Sequence, residues 1–186
     1  MSEQAIDKLS SVFREVPNVQ FKQTHARRTE VKLRADTLPA ILALLKGRSY
    51  IHLSAISCID RPEFDEFELV YHIWSHEEKN LISAHIKIPK KPGEFVSVHD
   101  IYTPAAYFER DIHEMFGVKF EGAPNLKPFV LTEWQGPPPM LKSFDTEKYV
   151  QDTYDWLDYQ PQWWKEVQEK GGGYAPEDRR AVIMED

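Results

Sequence analysis

Seven histidines and a dense run of carboxylates put metal and acid–base chemistry first among the readings to test. In the segment 104–116, Glu109 and His113 stand four apart, so on a helix they share a face where a carboxylate and an imidazole can hold one metal ion. A small metal-dependent enzyme built on that pair needs a third ligand. The nearby candidates His99, Asp100, Asp111 and Glu114 fit no standard ligand spacing, and the plainer reading is a polar stripe facing solvent or a partner. Paired carboxylates for proton transfer would come from Glu109, Asp111 and Glu114. Positions two apart on a helix diverge, however, and Arg110 is spaced to pair with Glu114, so ion pairing is the better account. His72, His76 and His85 fall on an expected hairpin where His72 and His85 can meet across the strands, although strand histidines are more often packing or surface residues. Cys58 lies in an apolar stretch with no base beside it, which suits a buried structural thiol better than a nucleophile. A single cysteine also excludes an intrachain disulfide framework, a Cys-rich zinc site and an iron–sulfur cluster held by this chain alone. Gly171-Gly172-Gly173 has neither a preceding strand nor the Lys-Ser/Thr of a phosphate loop, and no Gly-x-Ser-x-Gly elbow occurs. No catalytic, cofactor or metal site of its own is expected, and a subunit of a larger assembly fits better than a free enzyme.

The elements that would carry these residues read as an α+β domain. Ser2 can cap an amphipathic helix over residues 2–16, with Ile6, Leu9, Phe13 and Val16 at helical spacing and Pro17 as its stop. Two short strands are predicted at about 19–24 and 28–34. Asp36 is placed to cap a second helix that tolerates Pro39 in its first turn, buries Leu38, Ile41, Leu42 and Leu45, and closes at Gly47. Residues 50–59 form a strand broken at 60–62, and residues 66–74 and 81–88 form an antiparallel hairpin. Thr103-Pro104 is a helix start, with the apolar face Ala105, Phe108, Ile112, Met115 and Phe116 and its end at Gly117. The order predicts a mixed or antiparallel sheet with helices on one face. Five prolines within 124–139 leave few ladder hydrogen bonds, so that stretch is expected to run as a strap over a surface.

At 186 residues, 41% hydrophobic and 28% charged, the chain has the composition of a globular protein. Its formal net charge of −7 argues against general nucleic-acid binding. Residues 1–144 carry 18 Lys and Arg against 19 Asp and Glu, whereas residues 145–186 carry 5 against 11. The expected organisation is therefore a near-neutral domain over 1–144 and an acidic extension over 145–186. Tyr149, Tyr154, Trp156, Tyr159, Trp163 and Trp164 are unlike a disordered tail and are suited to anchoring the extension along a partner subunit. No apolar run reaches the length of a membrane span, and the polar start Met1-Ser2-Glu3-Gln4 is unlike a signal peptide, so membrane contact is expected only through partners.

The run Tyr107-Phe108-Glu109-Arg110-Asp111-Ile112-His113-Glu114-Met115-Phe116-Gly117-Val118-Lys119-Phe120-Glu121-Gly122 resembles the signature of the NuoC family, the 30-kDa subunit of respiratory complex I, with relatives in energy-converting membrane-bound hydrogenases and sulfur reductases. Val70-Tyr71-His72, Val98-His99-Asp100-Ile101-Tyr102, Pro124-Asn125-Leu126 and Glu133-Trp134-Gln135-Gly136-Pro137-Pro138 match as flanks, and the likeness covers roughly residues 35–145. Where many members have a basic His-Pro-Leu-Arg-Lys-Asp-Phe run, this chain has Pro138-Pro139-Met140-Leu141-Lys142-Ser143-Phe144 and lacks the arginine. The resemblance implies a NuoC-like fold followed by an extended C-terminal tail. It also implies a non-catalytic accessory subunit in the hydrophilic arm of a membrane-bound oxidoreductase, on the cytoplasmic side of the cell membrane. The type would be a ferredoxin-linked hydrogenase, a sulfur reductase or an NADH:quinone oxidoreductase, with the compact length, the tail and the departure at 138–144 leaning towards the first two. Such a subunit docks on a separate large NuoD-like or nickel–iron-hydrogenase-like chain beside NuoB-like and NuoI-like iron–sulfur subunits. The clusters, and any nickel–iron centre, then belong to those partners. The residues carried to the interface and family motif are Tyr107, Phe108, Glu109, Arg110, Asp111, Glu114, Met115, Phe116, Gly117 and Phe120, with Trp134, Trp156, Trp163 and Trp164 after them. In this reading the charged members set register with the partner while Phe108, Met115 and Phe116 anchor the helix. The alternative for the same charges is internal pairing that orders the following loop, and a transient assembly factor is a further functional alternative.

Overall fold

The computed structural model describes residues 19–153 and 162–169, so the helix expected over 2–16 lies outside the described residues. The chain divides into two compact units, residues 1–144 and 145–186.

In the first unit β1 (Gln20–His25) and β2 (Arg28–Lys32) form a tight antiparallel pair, and α1 (Leu38–Lys46) crosses over to β3 (His52–Arg61). β4 (Glu66–Ser75) and β5 (Asn80–Pro89) are the expected hairpin, paired from Glu66↔Pro89 to Ser75↔Asn80. The five strands lie in the order β1-β2-β5-β4-β3, antiparallel except for the parallel β2–β5 pair. That parallel pair is possible because the chain makes a long excursion through α1 and two further strands before returning. β6 (Glu94–Val96), α2 (Ala105–Phe116) and β7 (Lys119–Glu121) follow, with β6 and β7 in a small parallel sheet.

Alternation decides the faces of the large sheet. Phe67, Leu69, Tyr71 and Ile73 of β4 and Ile82, Ala84, Ile86 and Ile88 of β5 turn to one side and are buried. They meet Leu38, Ile41, Leu42 and Leu45 of α1 and Ala105 and Ile112 of α2 in one core. The residues between them, among them Glu66, Glu68, His72, His85 and Lys87, line the opposite face. The fold is thus the expected α+β arrangement, with helices on one side of a mixed sheet.

Local chemistry departs from expectation at the helix ends. Asp36 caps nothing: it sits in a 3-10 turn (Ala35–Thr37), where its carboxylate takes Nε and Nη2 of Arg34 at 3.1 and 2.6 Å. α1 starts without a side-chain cap, with Pro39 in its first turn. Gly47 closes α1 but keeps a helical φ of −66°, and the left-handed position falls to Ser49 at 67°. α2 likewise has no side-chain cap: Pro104 stands at its N-cap position, and the expected cap by the Thr103 hydroxyl does not form. β3 runs two residues further than expected, through Arg61, and breaks at Pro62, within the expected 60–62, giving way to a 3-10 turn (Pro62–Phe64) that ends at left-handed Asp65. The parallel β6–β7 pair has no counterpart among the expected elements, since three-residue strands carry too little alternation to register in a sequence.

The second unit holds α3 (Thr146–Thr153) and α4 (Gln162–Glu169), so the described part of the expected extension is helical. Asp145 starts α3, its carboxylate accepting the Lys148 N–H at 3.0 Å.

Candidate functional site

Among the described helices α2 carries the most charged residues, and it contacts two loops at once. Its inward side carries Glu109, fully buried in a helix that otherwise faces the core with Ala105 and Ile112. A buried carboxylate is costly unless its oxygens are met. Here Oε1 accepts the Val98 N–H at 2.8 Å and Oε2 accepts the Ser97 hydroxyl, which also lies 3.2 Å from His99 Nδ1. Glu109 therefore fixes the turn leading from β6 into α2. Burial raises its pKa above the ordinary 4.5, an effect partly offset by the Ser97 and Val98 hydrogen bonds and by His99. The Tyr71 hydroxyl is buried with no hydrogen-bond partner among the described residues, and burial followed by the Glu109 charge drives its pKa up.

The outward side carries Tyr107, Arg110, Asp111 and Glu114, at the spacing of one helical face. The expected Arg110–Glu114 ion pair is replaced by something more specific. Arg110 donates Nε to the Lys127 carbonyl at 2.6 Å and Nη2 to the Pro128 carbonyl, and its guanidinium lies 4.8 Å from the Phe129 ring centre. Glu114 accepts three consecutive backbone N–H groups: Phe129 and Val130 on Oε2 at 3.0 and 2.8 Å, and Leu131 on Oε1 at 2.8 Å. Burial acts to raise the Glu114 pKa, but those three donors and the Arg110 charge hold it net below 4.5. Asp111 is raised, by burial first and by the neighbouring Glu114 charge second.

Together the two side chains clamp residues 127–131, a stretch with no ladder of its own, onto the helix. Further ties follow along the strap. Trp134 Nε1 donates to the Pro137 carbonyl at 2.9 Å and its ring meets Phe144 edge-on at 5.7 Å. The Met140 N–H donates to the Met115 carbonyl at 3.0 Å. The Lys142 N–H donates at 2.9 Å to Oδ2 of Asp60, a buried carboxylate also ion-paired with Lys90. Gly117 ends α2 at φ 80°, and a Cβ there would lie 3.1 Å from Pro138 Cγ, so glycine serves both the turn and the close passage of the strap. So secured, the strap and helix display Tyr107, Phe129, Val130 and Met140, all at least 49% exposed, outside the core.

Not every expected site residue behaves alike. Phe108 and Phe116 pack against the core and Phe120 is buried in it, while Met115 is half-buried. Glu109 is wholly internal and has no surface to offer a partner. The observed contacts of Arg110 and Glu114 are those of the loop-ordering alternative. Trp156 lies outside the described residues, and Trp163 and Trp164 lie in α4 with the Trp163 side chain exposed. His113 Nδ1 bonds to the Val118 carbonyl at 2.9 Å while Glu109 is spent on Ser97 and Val98, so the metal-binding alternative finds both its proposed ligands engaged elsewhere. Among the described residues no three of His, Cys, Asp and Glu converge. His72 and His85 share a face but sit opposite Ser83 and Val70; His72 bonds to Ser83 at 3.0 Å and His85 to Glu68 at 2.8 Å. Burial pushes the Cys58 thiol up to about 12, with the Asp60 charge adding to it, as befits a structural cysteine. Ser97 and Asp60 escape sequence reasoning. A lone Asp in an apolar strand is the one signal that points to Asp60, and nothing local marks Ser97.

Residues 31–150 match the family model described as the respiratory-chain NADH dehydrogenase 30 Kd subunit. The C-type subunit of the F(420)H(2) dehydrogenase of Methanosarcina mazei is 33% identical over 112 residues, covering 59% of this chain and 71% of that one. A C/D-type subunit of the NADH-quinone oxidoreductase of Aquifex aeolicus is 32% identical over 126 residues, which are 67% of this chain but 21% of that protein. Among solved structures, a chain of the membrane-bound sulfane sulfur reductase, an archaeal respiratory membrane complex, superposes with a TM-score of 0.78 at 30% identity, over 86% of this chain and 96% of the other.

Proposed function

Because the chain belongs to the 30-kDa subunit family of the respiratory-chain NADH dehydrogenase, we propose that it is a non-catalytic subunit of a complex I-like membrane oxidoreductase. Its role is to dock on the large NuoD-like or hydrogenase-like chain. The observation that carries this reading is the clamp of Arg110 and Glu114 on residues 127–131, which spends a cation, a carboxylate and five hydrogen bonds on holding up a surface loop that displays Phe129 and Val130. Exposed apolar side chains on a pre-ordered loop are the usual substance of a docking patch, because the ordering cost is met before binding. The Aquifex relative, whose name joins the C and D types in one protein, supports a D-type chain as the neighbour. The likeness to the sulfane sulfur reductase chain supports a sulfur-reducing or related respiratory complex as the setting.

In this reading the redox centres belong to NuoB-like, NuoI-like and large subunits, and the chain lies on the cytoplasmic side. No helix among the described residues is long and apolar enough to cross a membrane, which supports attachment through partners. The acidic, aromatic extension over 145–186 lies along a neighbouring subunit. The test is native purification of the tagged chain from membranes. It should bring down a large NuoD-like or nickel–iron-hydrogenase-like subunit in stoichiometric amount, and recovery of the chain alone contradicts the proposal.

A further inference from the structure

The face of the sheet turned away from α1 and α2 carries a cleft that the strap does not touch. Strand alternation places Lys32 of β2, His85 and Lys87 of β5 and Arg61 of β3 on this side, and Arg34 and Phe64 close a volume of about 690 Å³ around them. The ionic groups are unevenly matched. Both oxygens of Glu68 are engaged, Oε1 by His85 Nδ1 at 2.8 Å and Oε2 by Arg61 Nε and Nη2 at 3.0 and 2.8 Å. Both oxygens of Asp36 are taken by Arg34. Lys87 gives one bond to Glu66 and lies 5.0 Å from the Phe64 ring centre. What remains is a surplus of donors: Nη1 of both arginines, two of the three Lys87 protons, and Lys32, which has no partner among the described residues. A cleft with many spare donors and its acceptors already engaged selects a group that only accepts.

We propose that this cleft docks an acidic segment, an extended stretch bearing Asp or Glu side chains, from another subunit of the complex. Charge complementarity commits it to carboxylates. A protein segment is favoured over a small ligand because small-molecule pockets are mostly apolar with a few polar groups. Here seven of the ten lining residues carry ionisable side chains, and Phe64, the one large apolar ring, stands 67% exposed. The proposal rests on the subunit reading for the source of the segment, but not on the strap as a docking surface.

The isotope-labelled full chain, titrated with hexaglutamate at low salt, should show amide shifts at Lys32, His85 and Lys87. The K32E/K87E double variant, which touches only exposed side chains, should bind at least tenfold more weakly with its hairpin resonances in place, whereas Val130→Asp should bind as the parent does. Absence of shifts, or equal binding by K32E/K87E, overturns the proposal. Displacement of the peptide by an equal concentration of inorganic phosphate overturns it too, by assigning the cleft to a small anion. Native purification separates the two readings. A chain recovered alone even without substitution defeats the subunit reading. If K32E/K87E retains every partner while Val130→Asp loses the large subunit, only the cleft proposal fails.

Discussion

Two glutamates on one helix, Glu109 and Glu114, do the same kind of work in opposite surroundings. Each accepts hydrogen bonds from a loop and fixes it to α2: the 97–98 turn for Glu109, the 129–131 strap for Glu114. Glu109 does so in the core and Glu114 at the surface, and burial raises the first carboxyl while three N–H donors lower the second. The difference separates what the motif does for the core from what it does at the surface. The buried contact holds the domain together. The surface contact orders the strap that the proposed function makes the docking patch.

The largest expected effect comes from deleting the inner one. Glu109→Ala leaves the buried Val98 N–H and the part-buried Ser97 hydroxyl without their acceptor and opens a cavity, at a cost of about 2–4 kcal/mol. Thermal denaturation should show it as a clear fall in Tm, with Glu109→Gln milder because the amide oxygen still accepts from Val98. Glu114→Ala is the outer counterpart. Its three N–H donors can turn to water, so global stability should fall by only about 1 kcal/mol or less. Hydrogen exchange at Phe129, Val130 and Leu131 should nonetheless rise sharply. Similar losses of stability in the two variants would erase the distinction between inner and outer roles.

The smallest effect is in pH. A raised carboxyl makes the folded state bind its proton more tightly, so the Glu109 contribution grows as pH falls through its folded pKa towards 4.5 and is constant below. A lowered carboxyl does the reverse: the Glu114 contribution is complete above 4.5 and is lost as pH falls through its folded pKa. Side-chain carboxyl titration by NMR should place Glu109 above 4.5 and Glu114 below it. Denaturant midpoints measured across that range should lose the rise in Glu109→Gln and the fall in Glu114→Gln.

These contrasts also mark what a sequence can disclose. The β4–β5 hairpin is legible because Phe67, Leu69, Tyr71 and Ile73 alternate with polar residues, and α2 because Ala105, Phe108 and Ile112 recur at helical spacing above a terminating glycine. The helix caps are not, since Asp36 has a nearer cation in Arg34 than the helix it precedes. The site is legible as a motif but not as a division of labour. Helical spacing suggests that Arg110 pairs with Glu114, and both instead reach residues 15 to 18 positions further on. Contacts of that range depend on where a proline-rich strap happens to pass. No local periodicity encodes that path, just as none links Lys142 to Asp60 across 82 positions.

The central claim is that the clamped strap is the docking patch, and native purification of Val130→Asp from membranes tests it most directly. Val130 is 58% exposed and makes its bond to Glu114 through the backbone, so the substitution leaves the clamp and the fold in place while planting a charge on the displayed surface. The account predicts a chain that melts as the parent does but brings down at least tenfold less of the large subunit. Full recovery of that subunit with a folded Val130→Asp chain would contradict it.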